Sequence, residues 1–234
     1  MLCKIADLWV EISETGDMLS RCRDYLADEE HKADISISSE DYSLERWKGL
    51  SENNAVYMET ANAFYCRILE HGGMMLHASA IEYRGRAYLF SGPSGMGKST
   101  HTRLWQEIFP DVKVFNDDKP ALRYVDGKWY AYGTPWCGKD GININMKVPL
   151  AGICFLKRGD KNIIRRLSKV EAIANVLTQT VREYADEEHT DMILSLSEKL
   201  IQSIPIFELR SIPVPDAARL SCETMCLSAE EEGI

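Results

Sequence analysis

Ala87-Tyr88-Leu89-Phe90-Ser91-Gly92-Pro93-Ser94-Gly95-Met96-Gly97-Lys98-Ser99-Thr100 reads as an apolar strand, a glycine-rich turn and the start of a helix. Gly92, Gly97, Lys98 and Ser99 fit G-x-x-x-x-G-K-[ST], the phosphate-binding P-loop. Glycines let the backbone curl so that its N–H groups converge on an anion. The following helix brings its positive dipole end to the same point. The segment Gly92, Pro93, Ser94, Gly95, Met96, Gly97, Lys98, Ser99 and Thr100 is therefore expected to cradle the phosphates of a nucleoside triphosphate, ATP. Lys98 would reach the β- and γ-phosphates, and the Ser99 hydroxyl would ligate Mg²⁺.

Upstream, Met74–Tyr83 reads as a strand and Arg84-Gly85-Arg86 as a turn into the Ala87–Ser91 strand. A two-residue loop at Arg84-Gly85 pairs Tyr83 with Arg86 and brings His77 opposite Gly92, a three-residue loop brings it opposite Pro93, and either carries His77 beside the start of the phosphate loop. Downstream, Val112–Phe115 reads as a short strand running into Asn116-Asp117-Asp118-Lys119-Pro120. Two adjacent acids at the end of a strand after a P-loop suit phosphoryl transfer. One can hold Mg²⁺ and the other can accept the proton of the attacking hydroxyl. Asp126-Gly127 between two alternating runs, Ala121–Val125 and Lys128–Tyr132, signals a hairpin. The glycine-rich loop Gly133–Lys139 makes Lys139 a candidate phosphate contact.

With 234 residues, 45% of them hydrophobic and 27% charged, the composition is that of a soluble globular protein. A net charge of −9 argues against nucleic acid as a partner. No apolar run approaches a membrane span, and residues 1–13 lack the pattern of a signal peptide. Seven cysteines without metal-ligand spacing fit a reducing, cytoplasmic setting.

Residues 1–70 read as a small α+β appendage without chemistry. In it, 1–13 and Asp34–Ser38 are strands, Asp28–Lys32 a charged connection, Asp41–Asn54 irregular and Ala55–Glu70 a helix. Residues 71–226 form the P-loop domain. Val148–Leu156 is its buried strand and Ile206–Leu209 its last. Two helical stripes (Val170, Ile173, Ala174, Leu177 and Val181; then Met192, Ile193, Leu196 and Leu200) precede a final helix from Pro215. Residues 227–234 read as a disordered tail.

Three features together resemble the catalytic domain of HPr kinase/phosphorylase and, more distantly, ATP-dependent phosphoenolpyruvate carboxykinase. They are His77 in His-x-Ser, the loop Gly92–Ser99, and the pair Asp117-Asp118. The resemblance covers about residues 74–156. It implies an α/β P-loop kinase domain with a mixed, partly antiparallel sheet, ATP and Mg²⁺ as cofactors, and a hydroxyl acceptor on a protein serine or a small molecule. It suggests Asp117 as base, Asp118 as metal ligand with Ser99, and His77 as partner of the catalytic acid Asp117. Other readings are a guanylate-kinase-like enzyme, from Gly92-Pro93-Ser94-Gly95, a carboxykinase reaction, and a nucleotide-binding adaptor without turnover. The acceptor and homo-oligomerisation are left open.

Overall fold

The computed structural model describes residues 1–13, 16–28, 31–38, 44–180 and 186–234. Glu29 and Glu30 of the charged connection, Asp41–Ser43 and Val181 lie outside the described residues.

The chain opens with β1 (Leu2–Ile5) and β2 (Leu8–Ile12), a hairpin where one strand was expected. Ala6 and Asp7 take positive φ of 52° and 63°, which lets two residues reverse the chain. After α1 (Gly16–Arg21), β3 (Ile35–Ile37) pairs parallel to β2. The segment expected to be irregular holds a 3₁₀ turn at Leu44–Trp47 and the start of α2 (Glu52–Arg67), capped by Ser51. Gly72, at φ 68°, ends the 3₁₀ turn that follows α2.

The expected strand Met74–Tyr83 is two strands, β4 (Gly73–Met75) and β5 (Ala78–Tyr83), separated at Leu76-His77. Then come β6 (Arg86–Ser91), α3 (Lys98–Ile108), β7 (Lys113–Asn116), β8 (Ala121–Val125), β9 (Lys128–Tyr132) and β10 (Lys147–Arg158). The last third holds β11 (Ile163–Arg166), which the sequence reading lacks, α4 (Lys169–Thr178), α5 (Glu187–Ser203), β12 (Ile206–Ser211) and α6 (Pro215–Glu231).

These strands form an α/β fold around one mixed, curled sheet of nine strands, in the order β4-β8-β9-β10-β6-β5-β7 with β12 and β11 joined through β10. β10 pairs antiparallel with β9 at its start, then parallel with β6 and β12. β5 runs antiparallel to both β6 and β7, so β6, β7, β10 and β12 share one direction. Their carboxyl ends meet at one rim, where ligands of α/β sheets bind.

Alternation along the strands sends side chains to two faces. Ala80, Leu89 and Phe155 join a core with Val176 of α4 and with Ile193 and Leu200 of α5. Ile81, Phe90 and Cys154 join another with Trp105 of α3 and Met225 of α6. Val170, expected in the apolar stripe, is 79% exposed, while Ala172 and Val176 face the core. The segment 227–234 is no disordered tail: α6 reaches Glu231, and the Ile234 N–H returns to the Ala229 carbonyl. The described residues of the N-terminal segment share a core with Met75, Ala121 and Tyr132 of the large sheet and with Trp136 of the loop after β9.

His101 of α3 is buried against α6, with Nε2 3.0 Å from Ser221 Oγ. Burial pushes its imidazole down to about 4. The unfolded chain takes up that proton near its ordinary value of about 6.5, so stability falls as pH drops from there toward 4. Between pH 7 and pH 5 the His101 contribution should cost about 2 kcal/mol. Urea titrations of parent and His101→Gln check this: the gap between them should narrow by that amount at pH 5. An unchanged gap would contradict it.

Candidate functional site

The turn after β6 holds its shape through three glycines at positive φ: Gly92 at 148°, Gly95 at 76° and Gly97 at 101°. Such angles are costly for residues with a Cβ. Gly97 directly precedes α3, and Lys98 is the first helical residue. The strand–loop–helix order required of a phosphate loop is thus present.

Arg84 and Gly85, at φ 53° and 76°, form the expected two-residue turn, and Tyr83 pairs with Arg86. The ladder closes at Ala78 opposite Ser91, and Ser91 Oγ donates to the His77 carbonyl at 2.9 Å. His77 therefore stands at the Gly92–Ser99 loop, as the hairpin arithmetic predicts. The β4–β5 break frees it from the ladder.

On the opposite edge of β5, β7 ends at Asn116, paired with Ala80, and delivers Asp117 and Asp118 to the same rim. Asn116 Oδ1 accepts the N–H groups of Asp118 (3.1 Å) and Lys119 (2.7 Å), an Asx turn that sets the two acids. His77, Lys98, Ser99, Asp117, Asp118 and Lys139 line one cleft of about 520 Å³ with the loop residues Ser94, Gly95, Gly97 and Thr100.

The pairing inside the cleft differs from expectation. His77 Nε2 lies 2.9 Å from Asp118 Oδ1, so its carboxylate partner is Asp118 and not Asp117. Successive residues leaving a strand point to opposite sides, and only the neighbour decides which side is met. Lys98 Nζ lies 3.0 Å from the same Nε2 and donates to the Gly92 carbonyl at 2.9 Å. One ring nitrogen cannot donate to a carboxylate and accept from an ammonium at once. An anion drawing Lys98 away would leave the Nε2 hydrogen to Asp118 alone.

The two acids have different electrostatics. Burial pushes the Asp117 carboxyl above its ordinary value, although N–H groups of Gly138 (2.7 Å) and Asp140 (3.0 Å) favour its charged form. Burial also acts on Asp118, but the hydrogen bond from His77 and the Lys119 ammonium outweigh it and hold that carboxyl far below the usual range. Lys98 is lowered by burial, against the pull of Asp118.

Sequence reasoning missed Gly138, Asp140, Lys119 and Tyr57. Gly138 has a legible reason to be glycine only in three dimensions, since a Cβ there would stand 2.9 Å from Asp117 Oδ2. Lys119 was visible as the neighbour of the acids. Tyr57, from the segment read as without chemistry, donates to the Cys137 carbonyl and receives the Lys119 ammonium.

A second cleft, of about 350 Å³, lies across the glycine-rich loop and shares Gly95, Gly97 and Thr100 with the first. Met96, Leu104, Leu156, Ile212 and Pro213 give it apolar walls, with Lys157 and Arg158 at hand. Among the described residues no helix is long and apolar enough to cross a membrane.

Residues 51–212 match the family model described as SynChlorMet cassette protein ScmC. No curated protein matches the chain. Among solved structures, the Hpr(Ser) kinase/phosphatase from Coxiella burnetii is similar at 12% identity and a TM-score of 0.39, over 68% of this chain and 91% of that one. A likeness so distant carries neither fold nor activity from one to the other.

Proposed function

The chain belongs to the family of the SynChlorMet cassette protein ScmC, and within that family it is from the chemistry of the cleft alone that we propose an ATP- and Mg²⁺-dependent phosphotransferase of P-loop kinase type. One observation carries the reading. A phosphate loop with its lysine, and two acids with unlike electrostatics, line a single cleft at the carboxyl ends of parallel strands.

Backbone N–H groups of Gly92 and Ser94–Thr100 hold the phosphates, and Lys98 exchanges His77 for phosphate oxygens. The apolar second cleft seats the nucleoside, since such pockets bury a flat ring between apolar walls. An acceptor hydroxyl attacks the γ-phosphorus as the bond to the bridging oxygen breaks. ADP departs with that electron pair, and the hydroxyl proton passes to Asp117. A raised carboxyl suits this role, because a base works best near the operating pH. Asp118, kept ionised, and Ser99 would hold Mg²⁺, which their all-oxygen donor set fits. Each carboxylate oxygen keeps a second lone pair beyond its bond to His77 or Lys119. Mg²⁺ there would neutralise charge on the transferring phosphoryl group. The acceptor is a serine of a protein or a small alcohol.

Label from γ-labelled ATP should pass to a component of a cell extract in the presence of the protein and Mg²⁺. Lys98→Ala should abolish the transfer. It should also weaken ATP binding by about 1.5–3 kcal/mol, the worth of a charge-assisted contact, or roughly tenfold or more in Kd. Calorimetry checks the second number. ATP binding by the parent with neither transfer nor slow hydrolysis would instead establish a nucleotide-binding adaptor.

A further inference from the structure

Asp118 is held from two sides, by two residues of which only His77 lines the phosphate cleft. His77 holds Oδ1, and the Lys119 ammonium holds Oδ2. Lys119 is itself fixed along its whole length. Its N–H donates to Asn116 Oδ1, and its carbonyl accepts from Thr134 Oγ1 at 2.7 Å and from the Tyr65 hydroxyl. Its Nζ donates to the Tyr57 hydroxyl at 3.3 Å and lies 5.2 Å from the centre of the Tyr57 ring.

Tyr57 is anchored in turn. Its hydroxyl donates to the Cys137 carbonyl at 2.8 Å, and the Arg21 guanidinium stacks on its ring at 4.7 Å. Arg21 Nη1 also reaches Cys137 Sγ at 3.2 Å. The chain of contacts thus runs from α1 through α2 to the acid pair.

We propose that Lys119, anchored by Tyr57 of α2, is a positioning residue that fixes the Asp118 carboxylate, so that the N-terminal segment completes the active site. This rests on the phosphotransferase reading. A carboxylate on a short side chain can rotate about two bonds, and a bond to His77 alone leaves one oxygen untethered. A buried lysine loses its compensation if either acid or anchor is removed, so the three groups act as a unit. Lys119 does not line the phosphate cleft, so it bears on turnover and not on nucleotide binding.

The test uses the full chain in single-turnover transfer and in ATP hydrolysis, with melting curves alongside. Lys119→Met should lower kcat by about 10–100-fold while KM for ATP stays within about twofold. Tyr57→Phe keeps the ring and removes only the anchoring hydroxyl, and should lower kcat by about 3–10-fold. In the Lys119→Met background, Tyr57→Phe should have no further effect on kcat, because the hydroxyl acts through the ammonium. Lys119→Arg should recover part of the loss. Should Lys119→Met fail to fold, Tyr57→Phe alone decides. Normal kcat in Tyr57→Phe, or a full additional loss in the double variant, would overturn the proposal. A parent without any transfer or hydrolysis would overturn the phosphotransferase reading instead, so the two failures are told apart.

Discussion

Asp117→Asn is expected to cut phosphoryl transfer by about 10²–10⁴-fold, the range for loss of a general base, with ATP binding unchanged or slightly tighter. The binding arm follows from charge: one negative group fewer stands near the triphosphate. The variant also carries a structural cost. Asp117 accepts one N–H on each oxygen, from Gly138 and from Asp140. Asparagine has one acceptor, so its amide would face a backbone N–H, at about 1–3 kcal/mol. Transfer must therefore be read at saturating ATP and well below the melting temperature. The geometry adds a sharper expectation. His77 bonds Asp118 and not Asp117. Losses from His77→Ala and Asp118→Asn should be less than additive, and losses from His77→Ala and Asp117→Asn should add. Single-turnover rates of the three single and two double variants measure this. The reverse pattern would overturn the His77–Asp118 pairing, and an Asp117→Asn variant with normal turnover would remove Asp117 as base.

Gly133→Ala is expected to cost 3 kcal/mol or more, beyond about 1–3 kcal/mol for ordinary overpacking. A Cβ on Gly133 would stand 1.8 Å from the Ile144 carbonyl oxygen and 3.2 Å from that of Phe115. Both are backbone atoms, so no side chain can swing aside. The Gly133 N–H donates to the Met146 carbonyl at 3.0 Å, and the Ile144 N–H to the Phe115 carbonyl at 2.8 Å. Residues 142–146 are thus laid across the end of β7, one residue before the acid pair. Lifting them breaks those bonds and moves Asn116, so transfer should fall with stability. Gly152→Ala serves as control, because its Cβ would meet first the flexible tip of Met225, at 3.1 Å. Urea midpoints decide: a Gly133→Ala midpoint equal to the control would show that the loop yields.

Much of the site was legible because its parts are local. The phosphate loop is written in consecutive residues whose backbone angles only glycine tolerates cheaply. The turns Arg84-Gly85 and Asp126-Gly127 are likewise two-residue devices, and Asp126 and Gly127 adopt φ of 48° and 82°. From such turns the registers of β5 with β6 and of β8 with β9 follow by counting, and with them the arrival of His77 at the loop.

What the sequence could not carry depends on which distant segment lies alongside. The β1–β2 turn starts at Ala6, a residue with no special liking for positive φ, and is held by the ladder around it. The break at Leu76-His77 exists because β4 joins β8 while β5 joins β6 and β7. The partner of His77 turns on which of two adjacent carboxylates faces it, which is set by the placement of β7 beside β5. Tyr57 reaches Lys119 across 62 positions of chain, a contact that no count along the sequence gives. Chain-local angles and hairpin counts are properties of neighbours in sequence. The pairing of charges at the rim is a property of neighbours in space, fixed when the sheet assembled and the N-terminal segment packed against it.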